Sequence, residues 1–172
     1  MKKIFTSLLA IFVLAACNQE KKSKENKAID LVVSTTHYTP STKQMKPTFR
    51  GGTKKAIDEL AEELNLPNDL TMQDWSYQVS DPNDLDKYIS HYNLTTDDDK
   101  KFVLMEMILQ AIVDQSNEEQ VLRCWKKVYP ILTDDFKIHE FTVYYWKELT
   151  EDNFDNCKIL SPLLRQLWES KN

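Results

Sequence analysis

From Phe102 to Val113, ten of twelve residues are apolar, and only Glu106 and Gln110 interrupt the run. A helix that is apolar nearly all round is buried on most of its sides, so the remaining elements must surround it. Twelve residues fall well short of the roughly 20 needed to cross a bilayer, and the run carries a glutamate. Glu106, Gln110 and Asp114 recur every four residues and form a single polar strip. Thr96, followed by Asp97, Asp98 and Asp99, reads as a cap with acidic residues at the positive end of the helix. The pattern predicts an all-α bundle of about six helices around this central one, with Ile108 and Leu109 most deeply buried.

The neighbours follow by periodicity. Ile57, Leu60, Ala61 and Leu64 have helical spacing, with Thr53 as cap and Pro67 as stop. Trp75, Tyr77 and Val79 alternate, which predicts a short extended segment. Asp81-Pro82 supplies a cap and a first-turn proline for a helix with Leu85, Tyr88, Ile89 and Tyr92 on its apolar stripe. Asn117 and Gln120 resemble a capping box ahead of Val121, Trp125 and Val128, and Pro130 is expected to end or kink that helix. Thr133 or Asp134 should open the next, with Ile138, Phe141, Tyr145 and Leu149 as its stripe, although Phe141 to Trp146 is also strand-like in composition. Ser161-Pro162 is expected to cap a last helix bearing Leu163, Leu164, Leu167 and Trp168.

The N-terminal third has a different character. Lys2 and Lys3 precede an apolar run from Ile4 to Ala16 that ends in small residues, the layout of a secretory signal peptide. Leu14-Ala15-Ala16-Cys17 resembles the lipobox of bacterial lipoproteins. The resemblance implies a diacylglycerol on the Cys17 thiol, cleavage before Cys17 and acylation of the new amino group. It thus implies a lipid bilayer as partner and an anchor in the cell envelope. Two or more chains give stable anchoring where one is marginal. In the enterobacterial sorting rule an aspartate after the cysteine retains lipoproteins in the inner membrane; Asn18 stands there instead, which favours the outer membrane. The chain then divides into a signal peptide (1–16), the lipidated cysteine with a flexible tether (17–52) and an acidic helical domain (53–172). A coil of the tether's length spans about 30–35 Å. Within it, Ile29 to Tyr38 is strand-like in composition.

Charge separates tether from domain. From Asn18 to Lys55 there are nine basic and three acidic side chains, net +6; from Ala56 onward there are 11 basic and 24 acidic, net −13. So acidic a domain argues against nucleic acid, which selects a basic footprint, and permits a basic protein partner. Cys124 and Cys157 could pair in the oxidising compartment or remain buried thiols.

Motifs for catalysis are missing. With two glycines, both at the tether junction, there is no phosphate loop and no nucleophile elbow. No HExxH occurs, and nothing calls for a cofactor or metal. Asp135 and His139 lie four apart and read as an exposed helical pair; Glu62-Glu63 and Glu118-Glu119 read as solvated faces. The aromatic residues read as core. These features favour a non-catalytic lipoprotein whose domain binds another protein, for instance an inhibitor or immunity protein. The alternatives are an envelope enzyme acting on peptidoglycan or peptides, and a ligand-binding lipoprotein with an aromatic pocket.

Overall fold

The computed structural model describes residues 46–69, 71–149 and 156–172. Cys17, the signal peptide and the segment Ile29 to Tyr38 lie outside them. The described residues form α-helices and one 3-10 turn, with no strand. The helices are α1 (Lys54–Leu64), α2 (Trp75–Gln78), α3 (Leu85–Leu94, preceded by the 3-10 turn Pro82–Asp84), α4 (Asp98–Val113), α5 (Glu118–Asp134), α6 (Phe136–Trp146) and α7 (Cys157–Lys171).

α4 is the centre. All twelve residues from Phe102 to Val113 are buried, including Glu106 and Gln110. α1, α2, α3, α5 and α6 pack directly on it, while α7 closes the bundle against α5 and α6. The cap of α4 is Asp97, not Thr96. Its carboxylate accepts from the backbone N–H of Asp99 (2.8 Å) and Lys100 (3.1 Å), and a charged acceptor suits the positive helix end better than a hydroxyl.

Thr53 caps α1 through the Ala56 N–H. That helix stops at Asn65, before Pro67. Asn65 takes the left-handed conformation (φ 55°), and the Leu66 N–H closes the end on the Ala61 carbonyl at 2.8 Å. Trp75 to Gln78 forms one helical turn and not an extended segment, because the Asp74 carbonyl accepts from both Tyr77 and Gln78. Asp81 caps the 3-10 turn as its sequence suggests. Asn117 accepts from the Gln120 N–H at 3.0 Å, but Gln120 returns its side chain to Ser116, one residue before the cap.

Two prolines lie inside helices. Pro130 does not end α5, which runs on to Asp134 because Val128 and Leu132 are buried on either side of it. α6 therefore begins at Phe136, later than Thr133 or Asp134. α7 begins at Cys157 and carries Pro162 within it. Ser161 is buried there and caps nothing; burial of Cys157, Leu160 and Leu164 outweighs the backbone bond that proline removes.

The largest departure from the periodic reading is in α6. The stripe Ile138, Phe141 and Tyr145 does not face the core, although Leu149 beyond the helix is buried. Phe136, His139, Thr142, Val143 and Trp146 face inward. Three of these carry polar groups, and each finds a partner inside: Thr142 and Trp146 donate to Glu106, and His139 meets Tyr92. Satisfying those groups fixes the rotation of the helix.

Candidate functional site

Turning α6 this way leaves Tyr145 exposed and Phe141 half-buried, and both line a cleft of about 410 Å³. The opposite wall is the chain just before α1. Gly52 crosses α4 so closely that a Cβ there would lie 2.8 Å from Val103 Cγ2, so a side chain at this position would push Val103 out of place. Arg50 pins the segment: it donates to the carbonyls of Ile138 (3.1 Å) and Asp98 (3.0 Å) and to the Asp99 carboxylate (3.0 Å), with its guanidinium over the Phe102 ring. These residues belong to the expected tether, yet they are packed against the helices.

Arg50 in this position presents Phe49. The Phe49 ring is 77% exposed and meets Phe141 edge-on at 5.0 Å, while Phe141 stacks near-parallel on Tyr145, itself 45% exposed. Phe49 and Tyr145 thus spend apolar surface on solvent, on one rim of one cleft. Both glycines and the one-turn helix α2 shape the rest of the opening.

Glu106 lies at the floor. It is 7% exposed, and its carboxyl accepts from Thr142 Oγ1 at 2.6 Å, Trp146 Nε1 at 3.0 Å and the Tyr77 hydroxyl. Burial pushes the Glu106 carboxyl up, against the three donors that favour its charged form. Burial and the carboxylate beside it also hold the Tyr77 phenol well above its ordinary range. No lysine or arginine pairs with Glu106 among the described residues. The cleft therefore combines an aromatic rim with an acidic floor.

A second polar cluster lies beyond. Lys101 and the Tyr92 hydroxyl both donate to Asp135 Oδ2, at 2.7 and 2.8 Å. Having given its only proton to Asp135, Tyr92 accepts from His139 Nε2 at 2.7 Å. This assigns the proton of His139 to Nε2 and leaves Nδ1 an acceptor with no hydrogen-bond partner among the described residues. Burial lowers the His139 pKa to about 3. Asp135 and His139 do share a face, but only Asp135 keeps partial exposure, while His139 is fully buried; in place of the expected exposed pair, a network joins α3, α4 and α6.

The other candidate residues are accounted for separately. Cys124 on α5 is half-buried and Cys157 is buried at the start of α7; the two are not joined in a disulfide. Of the acidic pairs, Glu63 accepts from Lys100 (2.6 Å) and contacts His91 (2.7 Å), tying α1 to α3 and α4, and its carboxyl is held below the usual range by Lys100 first. Lys100, shared by Glu59 and Glu63, is pushed up to about 12. Asp97 caps α4. No group of three or more metal-ligating side chains converges among the described residues.

Residues 1–18 match the family of prokaryotic membrane lipoprotein lipid attachment sites. The chain is a bacterial lipoprotein precursor. The lipoprotein is anchored to an envelope membrane through acylated Cys17. No helix among its described residues is long and apolar enough to cross a bilayer. No curated protein and no solved structure matches the chain.

Proposed function

We propose that this lipoprotein is a non-catalytic binding protein that holds its acidic helical domain at the outer membrane and grips a protein partner with the aromatic rim of the cleft. The observation that carries the reading is the rotation of α6. A helix that buries histidine and threonine while leaving Tyr145 exposed and Phe141 half-buried, next to an exposed Phe49, has apolar area suited to a partner. Aromatic side chains around a depression are the kind of anchor that dominates protein interfaces. Asn18, in place of an aspartate after the cysteine, supports the outer membrane under the sorting rule, and the short tether keeps the domain near its membrane.

The test is a photo-crosslinking amino acid placed at Tyr145 of the full lipoprotein in its own cells, with a matched one at the exposed Glu118 on α5. A discrete protein adduct from position 145 alone is expected. The adduct partner, once purified, should bind the wild-type lipoprotein at least tenfold more tightly than Phe49→Ala. No adduct, or equal adducts from both positions, overturns the reading.

A further inference from the structure

The floor of the cleft is the least explained part of the molecule. Glu106 is an acid enclosed in the central helix, and its surroundings provide three neutral donors and no cation. Burying a carboxyl costs free energy that an apolar residue at this position would avoid. Its two oxygens have about four lone-pair sites. Oε2 receives Tyr77 and Trp146 and Oε1 receives Thr142, so among the described residues Oε1 has room for a further donor.

The charges around the opening have the same sense. Arg50, the one basic residue on the cleft wall among the described residues, is already engaged by Asp99, two carbonyls and the Phe102 ring. Asp74 also lines the cleft and forms no ion pair among the described residues. Two carboxyls without cations face a space whose exposed walls are Phe49 and Tyr145. Cations are drawn to aromatic faces, arginine more often than lysine, because the planar guanidinium stacks flat while its edges remain free to donate.

We propose that the cleft takes an arginine side chain of the protein partner, its guanidinium stacked on the aromatic rim and donating toward Glu106. This rests on the reading of the cleft as a protein-binding site and adds the chemistry of the anchor it accepts. A volume of about 410 Å³ suits one long side chain with its flanking backbone. Glu106 then selects: a neutral isostere of arginine leaves the buried carboxyl without a counter-charge. A guanidinium in the cleft would favour the ionised form of Glu106, which burial disfavours.

The experiment uses full-length lipoprotein in detergent micelles, titrated with N-acetyl-arginine amide and, separately, with N-acetyl-citrulline amide, which has the same shape without the charge. Saturable NMR shifts at Glu106, Tyr77 and Tyr145 are expected with the arginine compound and at least tenfold weaker binding with citrulline. Glu106→Gln should erase that preference, its fold being checked by its thermal transition. Tyr145→Ala, a surface change that leaves the core intact, should weaken the arginine compound several-fold. Equal binding of the two compounds, or no saturable shift with either, overturns the proposal. If these fail while the position-145 adduct persists, the protein-binding reading stands and only its arginine anchor is lost; if the adduct is absent but arginine binds selectively, the cleft recognises guanidinium groups without a protein partner.

Discussion

His139 is buried beside Tyr92 in its neutral form, and this determines how the domain responds to acid. Its pKa falls from the ordinary 6.5 to about 3, mainly through burial. Below pH 6.5 the unfolded chain therefore binds a proton that the folded one refuses. Stability from this group is fully present above pH 6.5 and is lost as pH falls toward 3, at up to about 1.4 kcal/mol per pH unit. Glu106 acts in the opposite sense. Its carboxyl is held above the usual range, so its contribution is present at low pH and is lost as pH rises through the folded value. Comparing variants separates the two. In urea unfolding between about pH 7 and pH 5, His139→Gln should lose less stability on acidification than wild type. A variant whose pH dependence parallels wild type would mean that His139 takes up its proton without unfolding the network.

At the scale of the element, α4 sets the architecture. Leu109 is fully buried at its middle, so Leu109→Ala should cost about 2–5 kcal/mol, whereas the same change at exposed Leu94 should cost under about 0.5 kcal/mol. A loss at Leu109 as small as that at Leu94, measured by urea unfolding, would undo the placement of α4. This helix was legible in the sequence because a run apolar on every side has only one place to go. α6 was not. Its apolar stripe and its buried face are different sets of residues, since the choice depended on Glu106, Tyr92 and Asp135, which lie on other elements and leave no periodic trace. Boundaries were lost for a related reason: Ser161-Pro162 has the local form of a helix start, but the packing of Cys157 and Leu160 extends α7 ahead of it. The cleft was still less legible. Phe49 lies in what reads as tether, Tyr77 in what reads as extended chain, and Phe141 in what reads as core. Only the close passage over α4 that Gly52 permits brings them together.

For the whole molecule, the anchor and the charge act together. Cys17→Ala should release the lipoprotein from the membrane fraction or leave its precursor uncleaved; processing and pelleting as before would remove Cys17 from that role. Anchoring confines the domain within about the tether's length of the bilayer, where it meets partners with a surface that carries net −13 from Ala56 onward. Much of that charge is already matched locally: Asp58 by Lys54, Glu59 and Glu63 by Lys100, Asp86 by Lys127, and Asp135 by Lys101. Such short-range pairs leave the excess acidity intact as a field at longer range. A basic partner would be steered by that field before any aromatic contact forms, and steering changes the association rate more than the dissociation rate. Because the Debye length shrinks from about 10 Å at 0.1 M salt to about 3 Å at 1 M, the association rate of the crosslinked partner should fall steeply over this range in stopped-flow or surface-binding kinetics, while the dissociation rate, set by Phe49, Tyr145 and the cleft, changes little. An association rate that stays flat would confine recognition to the cleft and leave the domain's acidity a property of its solubility.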